Sequence, residues 1–503
     1  VNRAPVSGES HAVEPVGKTA ARAARILRQW LRRIAAADGP RQLLLVPTRT
    51  GRRIPQAARW PELVASLVAF AGVTLAVLQG FHPYLWQQSA SDFKTLYAAA
   101  DCFKRGLDPY SFSNIGAVFS ANRVVQPVSW YAHSPVYPPF TLALMAPLTE
   151  LPMVPAIFAW MAITWLTLTF AAFALARAAA EIFLLSRPWR LALIALFAAL
   201  PVLSFGVEMG NVSIAVGALS ILSVALPQDS RRNEALSVVC LALALLLKPH
   251  LGLWVIVALL FTRTRAGSHP DRTLALRAIA VCAGVGLLVA AWMAAEHQLL
   301  PQLAAYREIV ANELASGSMS PNDRELSVIG GQITSLASLL GFGLTGVTLD
   351  IANWSILVVA FAALSWNSID QSSRGDIRRL TRIAAWSAFG LIATYHRAHD
   401  AVILALMLPY LLARLRRHRY DPVAWTAIAL TALMGTGPSW DFYKALATQP
   451  GLWHIANFLL YRQAPFAALL LLLLMVTDMA RTPMVQVAVL PRRRSQGDLA
   501  EAA

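Results

Sequence analysis

The chain is poor in charge. Asp, Glu, Lys and Arg make up 14% of its 503 residues, against about 25% in an average soluble domain. It is poorest in acids, with 27 Asp and Glu against 43 Lys and Arg. Cysteine is almost absent: Cys102, Cys240 and Cys282 stand at no metal-ligand spacing and two lie inside apolar runs, so neither a disulfide framework nor a zinc site follows. What is abundant is apolar sequence, 57% of the whole, in runs that suit a hydrocarbon layer about 30 Å thick. This composition excludes an ordinary soluble enzyme and predicts an all-α polytopic membrane protein. A net charge of +16 would suggest nucleic acid in a soluble chain. Here the arginines gather in short clusters between apolar runs, as the positive-inside rule requires, so membrane lipids are expected partners and nucleic acid is not.

The chain divides into a basic N-terminal tail (1–60), a transmembrane domain (61–480) and a C-terminal tail (481–503). The tail carries Lys18, Arg22, Arg25, Arg28, Arg32, Arg33, Arg52, Arg53 and Arg59. Its basic region is too long for a cleavable signal peptide. Leu27, Leu31 and Ile34 at helical spacing suit a helix lying on an anionic leaflet, and a disordered basic tail fits as well. Leu63–Gly80 is a first crossing, and apolar runs from 154 to 477 bring the expected total to about 11 to 13 helices. Pro139–Leu148 is too short for an ordinary span and reads as a re-entrant or broken helix, or a short crossing. With the full runs crossing and this one not, the clusters around Arg177, Arg231, Arg263, Arg378, Arg416 and Arg493 fall on the cytoplasmic side with both termini. The opposite face then collects the remaining polar islands: the 81–138 loop, Glu208–Asn211, Lys248–His250, 295–334, Tyr395–Asp400 and 436–463.

Those islands hold the chemistry. The long polar loop contains Asp92, Asp101, Asp108, a Gly106–Tyr110 turn and Tyr137-Pro138-Pro139, and reads as the floor of an active site. Asp92 stands just beyond the first span. Asp101 follows nine residues on, and either could serve as a general base. Asp108, in a turn before Pro109, reads as structural. Lys248 sits between two apolar runs beside His250, so it must snorkel or meet an anion such as phosphate. His396, Arg397, His399 and Asp400 offer donors to an anion and an acid or base, or else form a polar turn capping two helices. A metal reading is weak, because no second cluster supplies ligands at a recognisable spacing. Gly210-Asn211 reads as a tight turn, which leaves the nearby Glu208 unexplained.

In this order the motifs resemble glycosyltransferase family 87, a GT-C group: Asp92 and Tyr97 after a first span, G-x-D-P-Y at Gly106–Tyr110, Tyr137-Pro138-Pro139, Pro147-Leu148 with Leu151-Pro152 beyond, Gly210-Asn211, Lys248-Pro249 and a late histidine island. The resemblance covers roughly residues 62–415, and Gly210-Asn211 departs from the family's usual Gly-Gln. It implies a GT-C-like bundle with a large extracytoplasmic loop after the first helix, in the cell membrane. It also implies inverting transfer of a hexosyl group, mannosyl in the first instance, from a polyprenyl-phosphate donor to a hydroxyl of a glycolipid or glycan acceptor on the extracytoplasmic face. Asp92, with Asp101 as the other candidate, would be the base. Lys248, His250, His396, Arg397, His399 and Tyr137 would bind substrate, with no metal and no cofactor. A secondary transporter or lipid flippase is the alternative. Against it stand the clustering of polar groups on one face and the absence of an internal repeat.

Overall fold

The computed structural model describes residues 90–123, 135–226, 230–261, 270–315, 335–341, 344, 346–369, 379–394, 396–435 and 462–481. The tails, the Leu63–Gly80 span, Tyr395 and the polar islands at 316–334 and 436–461 lie outside them. Up to Ala480 the described residues belong to one unit, and among them every regular element is helical.

The stretch expected to be a polar loop is a pair of helices, α1 (Ser91–Lys104) and α2 (Phe112–Ala121). Ten of the fourteen residues of α1 are buried. Its alanines favour helix, and Phe93, Leu96, Tyr97 and Phe103 make it apolar on most sides, so it packs inside the bundle. The turn between them is closed by Asp108, whose Oδ1 accepts from Tyr110 N at 2.9 Å while its carbonyl accepts from Asn114 Nδ2 at 3.0 Å, an Asx-type turn. Tyr110 and Tyr97 then donate their hydroxyls to the carbonyls of Tyr137 and Leu151, each at 2.8 Å. Burial, with the neighbouring Tyr306 and Asp108, raises the Tyr110 pKa and keeps it a donor.

α3 (Pro139–Met145) runs into a 3₁₀ turn, Ala146–Glu150. Seven α-helical residues rise only about 10 Å and cannot cross a bilayer. The long α4 (Met153–Phe183) follows, then α5 (Arg187–Ala198) and α6 (Pro201–Glu208). These last two read as one apolar run in the sequence, but they are bent by 48°, since Pro201 cannot continue the ladder of α5. Next come α7 (Val212–Ala225), α8 (Arg231–Leu247), α9 (Pro249–Phe261), α10 (Pro270–Ala295), α11 (Leu299–Ala315), α12 (Leu336–Leu340), α13 (Gly346–Ile369) and α14 (Arg379–Ala393). A ten-residue 3₁₀ helix, Ala398–Met407, leads into α15 (Leu408–Arg417), and α16 (Pro422–Gly435) and α17 (Gln463–Arg481) complete the described chain. Proline opens α3, α9, α10 and α16, where its missing N–H costs nothing.

Among the described residues five helices are long and apolar enough to cross a membrane, or six if α5 and α6 form one bent span. They lie in α4, α10, α13, the run Ala398–Arg417, and α17. The shorter apolar helices include α7, α9 and α16. The bundle has a wet-excluded centre and an apolar outside. Leu287 and Leu288 on α10 and Val358, Val359 and Trp366 on α13 are exposed, as suits lipid. The run Ala398–Arg417 is 83% buried in its apolar window, and all but one residue of α7 is buried. These two central elements touch closely: a Cβ on Gly217 would lie 2.0 Å from Val402 Cγ1, so only glycine fits there.

Candidate active site

The site is built at the N-terminus of α7. Gly210 takes φ +62°, and a Cβ there would come within 2.9 Å of Phe93 Cβ. Its absence lets α1 dock on the α6–α7 turn, with Ala90 N donating to the Glu208 carbonyl at 2.8 Å and Asp92 N to the Met209 carbonyl at 3.0 Å. Trp160 fixes the turn from the other side, donating Nε1 to the Gly210 carbonyl at 3.0 Å and stacking on Phe93.

From this dock a continuous polar chain crosses the core. Asn211 Nδ2 donates to Asp92 Oδ2 at 2.5 Å, and Asn211 Oδ1 caps α7 by accepting from Ser213 N at 2.8 Å. The Ser213 hydroxyl accepts from Lys248 Nζ at 2.5 Å. Lys248 Nζ also pairs with Asp400 Oδ1 at 2.6 Å. Asp400 Oδ2 accepts from His396 Nδ1 at 2.9 Å and from Arg397 N at 3.2 Å. His399 Nε2 lies 3.9 Å from Asp400 Oδ1, and the rings of His250 and His396 are 4.9 Å apart.

Local sequence explains how Lys248 reaches this centre. It ends α8 with φ −150° and ψ 85°, because the Pro249 ring disfavours helix in the residue before it. The Lys248 side chain is 11% exposed and that of Asp400 fully buried. A buried ion pair is tolerated when further hydrogen bonds support it, and here Ser213 takes a second N–H of Lys248 while His396 and Arg397 N donate to the second oxygen of Asp400. The ring of His396 uses Nδ1 on the carboxylate, and its Nε2 is buried with no hydrogen-bond partner among the described residues. Asp92, His250 and Arg397 are the partly exposed members.

His250, His396 and Asp400 offer metal-ligand atoms that all lie within 4.8 Å of one another. Two ligands about 2.1 Å from one ion stand at most about 4.2 Å apart, and Asp400 already accepts from Lys248 and His396. A divalent cation would therefore need the side chains to draw together and Lys248 to withdraw.

Of the residues singled out in the sequence, the structure links Asp92, Lys248, His396 and Arg397 through Asn211, Ser213 and Asp400 and sets His250 and His399 against them. It does not bring Asp101 there. Nine residues along an α-helix is a turn of about 900° and a rise of about 13.5 Å, which puts Asp101 on the opposite face from Asp92. Asp101 accepts both Arg105 Nε at 3.1 Å and Arg105 Nη2 at 2.8 Å. Tyr137 meets Tyr110 through its backbone carbonyl. In the sequence Asp400 stands out only as part of the late polar island, and neither Asn211 nor Ser213 stands out as a site residue. For Asp400 the signal was the buried-looking Lys248, which needed an anion; for Asn211 it was an N-cap residue beside an unexplained polar turn.

A helical bundle with apolar outer helices and a buried polar chain at one end is that of a polytopic membrane protein. The family model for Glycosyltransferase family 87 matches residues 136–394, just over half of the chain, and the chain belongs to that family. It is a membrane glycosyltransferase, acting on a sugar donor and an acceptor. The matched stretch holds Tyr137, Asn211, Ser213, Lys248 and His250, while Asp92 lies upstream of it and His396–Asp400 just beyond it. No curated protein and no solved structure matches the chain.

Proposed function

We propose that the protein transfers a hexosyl group, mannosyl in the first instance, from a polyprenyl-phosphate donor to a hydroxyl of a glycolipid or glycan on the extracytoplasmic face, with inversion and with Asp92 as general base. The observation that carries this reading is the chain itself, with a partly exposed carboxylate at one end and a buried group of cations and imidazoles at the other. An attacking hydroxyl loses its proton as the new bond forms, so it needs a carboxylate within hydrogen-bond reach. Asp92 is open to it and held by one oxygen only. Asp101 is engaged by Arg105 through both of its oxygens, which favours Asp92 as the base.

The departing lipid phosphate gathers charge and is stabilised by fixed donors. Lys248 has one N–H beyond its bonds to Ser213 and Asp400, and His250, Arg397, His399 and the unpartnered edge of His396 surround it. Tyr137 stands at the α1–α2 turn, beyond the end of α1 opposite to Asp92, so this reading gives it no contact with the base. The donor's single phosphate can be met by these cations, and the reading calls for no metal or cofactor. Holding donor and acceptor together between helices supplies much of the rate through orientation.

The test is a washed membrane fraction containing the protein, given polyprenyl-phosphate mannose, glucose or arabinose tritiated on the sugar. Label should pass to an acceptor, and Asp92→Asn should stop it. Label that enters sealed vesicles without a new glycosidic bond would instead establish a transporter or flippase.

A further inference from the structure

Asn211 makes two bonds that no other side chain of its size can make together. The backbone N–H of Ser213 needs an acceptor, so it fixes which end of the amide is oxygen. The Nδ2 end is then left facing the Asp92 carboxylate, to which it donates. Serine or aspartate would cap α7 equally well, but serine cannot span to Asp92 and aspartate has no hydrogen to give.

The backbone around this bond is held in conformations that a free chain avoids. Ala90, two residues before Asp92, takes φ 60° and is 1% exposed, and Gly210 faces it with φ +62°. A non-glycine residue in that region is strained and persists where the surroundings require it. Here they require it so that α1 can lay Asp92 against Asn211.

We infer that Asn211 is a positioning residue for the transfer: by occupying Asp92 Oδ2 it turns Oδ1 toward the acceptor hydroxyl. This rests on the reading of Asp92 as the base. It gives Asn211 a role separate from capping, and makes the rigid N-terminus of α7 the reference against which the base is aimed.

Asn211→Ser separates the two roles. In washed membranes carrying equal amounts of the full chain and given tritiated polyprenyl-phosphate mannose, kcat should fall at least about tenfold, as expected for loss of a charge-assisted hydrogen bond. KM for the donor and the thermal midpoint of the solubilised protein should stay at wild-type values. In an Asp92→Asn background the same substitution should change the residual rate by less than about twofold, because the group it aims is gone. Full turnover in Asn211→Ser beside an inactive Asp92→Asn overturns this inference alone, as do rate losses that multiply in the double variant. Full turnover in Asp92→Asn removes the base, and the inference with it.

Discussion

The two ends of the bundle both bury charge, and they do so with different residues. At one end Lys248, Asp400 and His396 meet Asn211 and Asp92. At the other, Arg379 pairs with Asp271 and donates to the Val224 carbonyl at 2.6 Å, joining α14, α10 and the C-terminus of α7. There Arg414 also bonds Asp421 at 2.9 Å and Asp478, while Tyr410 donates to Asp478 at 2.6 Å, tying α15 to α16 and α17. Ser213 and Val224 are eleven residues apart on α7, about 16 Å, so one central helix touches both systems. The arginine end uses a side chain that stays charged and fits carboxylates with a rigid fork. Asp421 also caps α16 through Ala424 N at 2.8 Å, so the acid there is committed to holding helices together. The lysine–histidine end uses groups that can exchange protons, and it stops at a partly exposed carboxylate. The difference separates a clamp from a site: both bury charge, but among the described residues only the lysine–histidine end sets buried imidazoles beside a partly exposed carboxylate.

Substitutions can break that comparison. The largest effect is expected for Asp92→Asn, which should lower transfer by about 10²–10⁴-fold, the usual worth of a general base, with wild-type yield in the membrane; radiolabel transfer and immunoblotting check this. Lys248→Met comes next. Leaving Asp400 buried and unpaired costs about 3–5 kcal/mol, so folded yield should drop sharply. Lys248→Met with Asp400→Leu should recover much of the thermal midpoint and none of the transfer, which distinguishes lost stability from lost chemistry. Arg414→Leu should also lower the midpoint, but the protein that remains folded should turn over normally per molecule. If its turnover fell as far as that of Asp92→Asn, the clamp would not be separate from the site. The smallest effect belongs to Asp101→Asn: the residue stands away from the site, the change leaves no buried charge, its partner Arg105 is 61% exposed and free to be solvated, and transfer should stay within about twofold of wild type.

Much of this was legible in sequence, because helix boundaries are local. Proline at 139, 249, 270 and 422 opens a helix, Asn211 and Ser230 cap α7 and α8, and the Asp108 turn has the chemistry expected of it. The helices inside the polar stretch after residue 91 are harder to see, because its acids stand out more than the alanines between them, and it is the helical spacing that sets Asp92 and Asp101 on opposite faces. The partner of Lys248 could not be read the same way. Asp400 is 152 residues distant, and no local pattern says which of several polar islands will fold against a given cation. Asn211 was hidden by its ordinariness, since a turn accounts for it until its second bond is seen.

The 3₁₀ helix ahead of α15 acts as a ruler. At about 2.0 Å per residue against 1.5 Å in an α-helix, the ten residues Ala398–Met407 extend some 5 Å further than an α-helical segment of equal length, and Asp400 stands about 25 Å from Arg414 along the axis. Wholly α-helical, the same residues would span about 21 Å, so the tighter winding moves the carboxylate about 4 Å further from the arginine clamp, a fair part of a hydrocarbon layer about 30 Å thick.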